Sequence, residues 1–244
     1  MSMVGQRTYF LCLQVKQSAD RFFISQEKCA KNLIKKFELE SCKSPRTPIS
    51  TSTKLSKDNA GQLVDFTVYR SLIGSLLYLT ASPPHIIYSV GMCARYQSAP
   101  KESHLIAAKR ILKYVKGTEQ YGLWYSKENN VCLVAYCDVD WAGNVDDRKS
   151  TSRGCFFIRK KLISWLSKKQ NSISLSTAEA QRMSYDDTST LMLMASDIDN
   201  DVTPATIDDT EDGNRAGAFL KFFGKRALEW EDIIRLRTSA QEHY

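Results

Sequence analysis

The sequence predicts an α+β chain in which a helical part is followed by a sheet-rich part. Apolar residues recur at helical spacing between positions 65 and 115. Short, apolar, β-rich runs replace them between 122 and 166, and two such runs separated by a polar turn open the chain.

Tyr9-Phe10-Leu11-Cys12-Leu13-Gln14-Val15, then Ser18-Ala19-Asp20-Arg21, then Phe22-Phe23-Ile24 read as strand, turn and strand. Ser25 stands where a cap begins a helix, and Cys29, Leu33, Ile34 and Phe37 follow at helix spacing with lysines on the other face. Ser44-Pro45-Arg46-Thr47-Pro48 and the Ser/Thr-rich run to Thr53 form an extended connector, because a proline bars the helical conformation for the residue before it. Asp65 to Leu79 predicts a buried helix in which Gly74 permits close packing at a small propensity cost. Pro83-Pro84 stops it, and Ile86 to Tyr96 and Ser103 to Val115 predict two more helices. The last turns Leu105, Ala108, Ile111, Leu112 and Val115 inward and Lys109, Arg110 and Lys113 outward, with Gly117 as its C-cap.

A run of strands is expected next, at Gly122 to Tyr125, Val131 to Tyr136, Gly154 to Ile158 and Leu162 to Leu166, around a polar loop from Asn144 to Ser152. Ser176-Thr177-Ala178-Glu179 has the spacing of a capping box at a helix start. Beyond Tyr185 the pattern fades. Asp197 to Asp212 is acidic and irregular, and Ala216 to Leu236 offers one final helix without a packed domain around it.

Composition narrows the function. At 244 residues the chain can bury the core of one large or two small domains. No apolar run approaches ~18 residues, so no membrane-spanning helix is expected, and the N-terminus carries no secretory leader pattern, which points to an intracellular protein of cytoplasm or nucleus. The seven cysteines include no Cys-x-x-Cys pair, so neither a disulfide framework nor a zinc cluster is indicated. Residues 1–130 hold 19 basic and 9 acidic side chains, a net of +10, whereas residues 188–244 hold 6 and 11, a net of −5. A basic excess in the first half suits a polyanionic partner or an ordinary solvated surface. Lys109, Arg110 and Lys113 on the predicted helix, and Arg148 and Lys149 in the loop, are the candidates for nucleic-acid contact. His85, His104 and His243 are scattered, and no dinucleotide fingerprint, P-loop or nucleophile elbow is present. Asp138 and Asp140 leave a strand end in Tyr136-Cys137-Asp138-Val139-Asp140-Trp141-Ala142-Gly143, where carboxylate oxygens suit a hard divalent cation.

Six blocks together carry a resemblance. They are Tyr69-Arg70-Ser71-Leu72-Ile73-Gly74-Ser75-Leu76-Leu77-Tyr78-Leu79-Thr80, Lys109-Arg110-Ile111-Leu112-Lys113-Tyr114-Val115-Lys116-Gly117-Thr118, the Asp138 block just given, Asp147-Arg148-Lys149-Ser150-Thr151-Ser152, Trp165-Leu166-Ser167-Lys168-Lys169-Gln170 and Leu175-Ser176-Thr177-Ala178-Glu179-Ala180. In this order, over roughly residues 7–183, they resemble the Pol polyproteins of copia-type LTR retrotransposons. The resemblance implies a helical reverse-transcriptase thumb and connecting region followed by an incomplete RNase H-like α/β domain. Its implied divisions are 1–48 for the end of the reverse-transcriptase palm and thumb, 49–64 for a linker and 65–121 for the helical connecting region. A partial RNase H-like domain over 122–187 and a divergent tail over 188–244 complete it.

The family's polymerase Tyr-x-Asp-Asp motif lies upstream of the strand near Tyr9, so the resemblance implies no polymerisation by this chain alone. Its RNase H cleaves the RNA strand of an RNA–DNA hybrid with two Mg²⁺ ions ~4 Å apart. Asp138 matches the first-strand Asp of that site. The family's helix ligand falls on Gln181, while Glu179 survives two residues earlier, ~200° away around a helix. Asp199-Asn200 comes too soon to match the family's later Asp-Asn strand. The expectation is therefore a catalytically impaired fragment, with Mg²⁺ as the implied cofactor and RNA–DNA hybrid, other nucleic acid or other parts of a polyprotein as partners. A non-catalytic nucleic-acid-binding module and a surviving RNase H using Glu179 are the alternatives.

Overall fold

The computed structural model describes residues 9–50, 52, 54–126, 133–158 and 161–185. The acidic run of Asp197 to Asp212 and the expected helix of Ala216 to Leu236 lie outside the described residues, as does the start of the strand expected at Val131.

The opening runs form β1 (Tyr9–Phe10), β2 (Leu13–Gln17) and β3 (Arg21–Ser25), paired antiparallel in that order. β4 (Gly122–Ser126) completes this sheet by pairing antiparallel with β3, Ile24 lying opposite Leu123 and Phe23 opposite Trp124. The sequence groups Gly122 to Tyr125 with the strands that follow it, whereas its hydrogen-bonding partner lies about a hundred residues upstream. A strand's composition marks it as a strand but does not name its neighbour; cross-strand packing of Phe23 on Trp124 does.

α1 (Glu27–Lys36) begins after Gln26, not at Ser25, which ends β3. Gln26 makes no capping bond. Its buried amide instead donates to the Tyr78 carbonyl at 3.2 Å and accepts from the Ser82 amide at 3.1 Å, tying the start of α1 to the end of the next helix. That helix, α2 (Phe66–Leu79), is capped by the Asp65 carboxylate, which accepts from the Thr67 and Val68 amides at 2.7 and 3.3 Å. Gly74 faces solvent on α2, and a Cβ there would meet nothing within 4 Å, so close packing is not its role. A 3₁₀ turn at Pro84–Ile86 shortens the next helix, α3, to Ile87–Ala94. α4 (Glu102–Lys116) runs one residue further at each end than expected. Its C-cap Gly117 keeps φ −81°, so the glycine is explained by space, since a Cβ would press on Ser44 at 3.0 Å.

These four helices enclose the main core. Tyr69, Leu72, Ile73, Leu76, Ile86, Val90, Ala108, Ile111 and Leu112 are fully buried in it. Each large aliphatic side chain removed from water there contributes roughly 1.5–3 kcal/mol. The segment after α1 crosses α4, where Lys116 donates to the Cys42 carbonyl at 2.7 Å and Arg110 to the Thr47 hydroxyl at 3.2 Å.

A second sheet follows as an antiparallel meander of β5 (Leu133–Asp140), β6 (Thr151–Ile158) and β7 (Lys161–Lys169). The strands are longer than their apolar cores suggest, and the polar loop shifts to residues 141–150. Residues 177–185 are helical and are designated α5. Among the described residues, helices with two antiparallel sheets fit the α+β class expected. On one face of the second sheet Arg95, the C-cap of α3, donates to the Thr151 hydroxyl at 2.8 Å and Trp165 to the Thr80 carbonyl at 2.9 Å. On the other face, the buried Gln170 amide donates to the Ser152 hydroxyl at 2.8 Å and to the Ala180 carbonyl of α5 at 2.7 Å. The sheet is thus held between α3 and α5. Of the seven cysteines, the six among the described residues are free thiols.

Candidate functional site

The Asp138 side chain leaves β5 on the α3 side of the second sheet. Its cross-strand partner is Arg153 on β6, and the two form an ion pair. Opposed residues of an antiparallel pair share a face, and the Arg153 guanidinium lies 4.8 Å from the centre of the Tyr88 ring of α3. Asp140, two residues on, shares this face and accepts from the Tyr88 hydroxyl at 3.0 Å. Burial and then the neighbouring Asp140 carboxylate push the Tyr88 phenol up to about 12, so it stays a proton donor to Asp140 at neutral pH. Burial holds the Arg95 guanidinium below its usual value although Tyr88, Tyr96, Asp140 and Asp147 oppose this.

The helix that carries the remaining candidate lies across the sheet. Ser152 adjoins Arg153 in sequence, so its side chain points to the opposite face, and there it meets Gln170 and through it α5. Asp138 and α5 therefore stand on opposite faces of the sheet. Glu179 is engaged where its spacing suggests: its amide donates to the Ser176 hydroxyl at 3.1 Å and its carboxylate accepts from the Leu175 amide at 2.7 Å. Gln181 is half-buried on the same helix. Among the described residues no group of three or more His, Cys, Asp or Glu side chains converges as a metal set.

The candidate phosphate contacts fall on two elements. On α4, Lys109, Arg110 and Lys113 are half-buried rather than outward, because the connector lies over that helix and engages Arg110 through Thr47. In the 141–150 loop Arg148 is exposed, and Lys149 donates to the Asn171 carbonyl at 2.6 Å. This loop is braced: Asp146 accepts from the Lys57 amide at 2.9 Å and from the Tyr96 hydroxyl at 3.3 Å. Burial pushes the Asp147 carboxyl up, but Lys169 at 2.5 Å and the Lys149 amide together bring it below its ordinary value. Sequence reasoning missed Arg153, whose significance follows only from strand register, and Tyr88, which lies 52 residues before its carboxylate partner.

Comparison with known proteins gives relatives over most of this chain. It is 38% identical over 184 residues to the Retrovirus-related Pol polyprotein from transposon RE1 of Arabidopsis thaliana, covering 75% of this chain and 13% of that protein. It is 36% identical over 181 residues to the corresponding protein from transposon RE2 of the same plant, covering 74% of this chain and 12% of that protein. The uncharacterized mitochondrial protein AtMg00810, also of Arabidopsis thaliana, is 34% identical over 181 residues, 75% of its length. The chain thus spans about an eighth of the two polyproteins it matches. No family model matches it, and no solved structure does.

Proposed function

Because this chain belongs to the Pol polyprotein family of copia-type retrotransposons, we propose that it is a piece of the reverse transcriptase–RNase H region that does not cleave RNA–DNA hybrids. In this reading the first sheet and the four helices over 9–126 represent the end of the reverse transcriptase and its connecting region. The meander and α5 represent the start of an RNase H-like domain. The pairing of Gly122–Ser126 with β3 supports counting that strand in the first part.

One observation carries the reading: Asp138 and α5 lie on opposite faces of the second sheet, with Gln181 where the resemblance calls for a carboxylate. The ion pair with Arg153 is not what decides. It is half exposed and worth at most about 1 kcal/mol, so a metal could displace it. The number of carboxylates decides. Two divalent ions ~4 Å apart repel by about 4 kcal/mol at the dielectric of water and about 16 kcal/mol at an effective value of 20. Among the described residues Asp138 has only Asp140 beside it on this face, and Asp140 is already bonded to Tyr88. Two carboxylates do not offset that repulsion, and Glu179 is occupied at the start of α5. This donor set does not fit a magnesium pair, and no step is derived through one.

The test is a labelled RNA–DNA hybrid incubated with purified protein and Mg²⁺ or Mn²⁺. No metal-dependent cleavage is expected. Robust cleavage that Asp138→Asn abolishes would overturn the reading. A second reading, a module that binds nucleic acid without cutting it, is supported by the net charge of +10 over residues 1–130. It expects affinity to fall steeply with added salt.

A further inference from the structure

The first sheet carries a row of side chains fixed by strand register. Lys16 on β2 lies opposite Phe23 on β3, and Phe23 lies opposite Trp124 on β4. Arg21, two residues before Phe23, shares that face. Ile24 points the other way, into the buried side. One face of the sheet therefore presents two cations and two aromatic rings in adjoining positions.

The rings are set before any partner arrives. Phe23 and Trp124 pack with centroids 4.6 Å apart at 38°, and the Arg21 guanidinium lies 5.8 Å from the Trp124 ring centre. Gly122 makes this possible: a Cβ there would lie 2.6 Å from the Phe23 ring, so only glycine leaves Phe23 room along β4. Despite that packing Trp124 is 58% exposed and Tyr121 59% exposed. Beside them opens a cleft of about 400 Å³ lined by Phe23, Trp124, Tyr121, His85 and Pro83-Pro84. His85 stands edge-on to Tyr114 and Tyr121, and its Nε2 is buried without a hydrogen-bond partner.

A ligand for such a face needs a flat apolar surface for the rings and negative charge for Lys16 and Arg21. Arg21 also pairs with Asp20 at 3.3 Å, an exposed contact weak enough to yield to a phosphate. A duplex keeps its base faces inside the stack, whereas a single strand offers both a base and a phosphate at each step. We propose that this face binds single-stranded DNA or RNA by stacking a base on Trp124, with Lys16 and Arg21 on the flanking phosphates. The choice of ligand rests on the reading of the chain as part of a nucleic-acid-handling polyprotein; the site itself is independent of cleavage.

The test is fluorescence anisotropy of the full chain with labelled oligothymidylate, oligouridylate, an abasic oligomer of equal length and a blunt duplex. Trp124→Ala should weaken single-strand binding about tenfold, Trp124→Phe should retain most of it, and abasic binding should be weak and equal in all three proteins. Loss on either oligonucleotide supports the proposal and tells which polymer is taken. Unchanged binding by Trp124→Ala, or abasic binding as tight as oligothymidylate, overturns it. So does a concentration-dependent dimer that Trp124→Ala dissolves, which reassigns the face to a second copy. A protein that neither binds single strands nor cuts hybrids overturns this inference alone; one that cuts hybrids and binds through Trp124 overturns only the preceding reading.

Discussion

Arg153 and Asp138 face each other across a hairpin, and each is about half exposed. Removing the guanidinium should therefore matter little to the fold. Arg153→Gln is expected to shift the urea midpoint by less than about 1 kcal/mol of stability and to leave Mg²⁺ binding undetectable by calorimetry. A clear magnesium isotherm in that variant would show that the arginine, and not the missing carboxylates, silences the site. His85 makes a pH prediction. Burial lowers its pKa, so below its ordinary titration range the unfolded chain takes up a proton that the folded chain resists. Its contribution is fully present above the unfolded pKa near 6.5 and is lost as pH falls below it. Urea unfolding of the wild type from neutral to mildly acid pH should show this decline, and His85→Phe should flatten it. Asp138 was legible from its motif. Arg153 was not, because its importance lies in register, which residue order alone does not fix.

Helices were the most readable elements. The apolar spacing of Leu72, Ile73, Leu76 and Leu79 gives α2 almost to the residue, since a stripe that must be buried has to recur at 3.6. Leu72→Ala should accordingly cost about 2–5 kcal/mol, measured by denaturant unfolding, as expected for a fully buried site. Caps were less legible. Ser25 has the right chemistry for one, yet it is spent as the last residue of β3, while Gln26 serves as a tether. Of the capping box at Ser176 and Glu179 one half forms, the Glu179 amide on the Ser176 hydroxyl, while the Glu179 carboxylate reaches one residue further back to the Leu175 amide. What seats α5 on the sheet is Gln170, and no local pattern points to it. Gln170→Leu strands the Ser152 hydroxyl and the Ala180 carbonyl; a loss of about 1–3 kcal/mol is expected. Amide hydrogen exchange over residues 177–185 should rise more than over α2, and equal protection would show that α5 is held some other way.

At the scale of the molecule, the two sheets depend on one helical layer. Ile24 of the first sheet and Trp165 of the second are both buried, and Trp165, Thr151 and Asp140 all bond to residues between Thr80 and Arg95. Isolated from residues 1–130, the remaining chain would expose that face of the meander, so residues 131–244 alone should be poorly soluble and lack a sharp cooperative melt. A steep calorimetric transition for that piece would contradict this. The sequence marked where strands would be but not which sheet owns each, and the seam between the sheets is built from contacts spanning 52 to 85 positions. The Trp165 indole sits in that seam, 5% exposed, while Trp124 and Trp141 look outward. Its emission should lie to the blue of theirs, so a red shift that precedes loss of far-ultraviolet ellipticity would report the halves parting before either one melts.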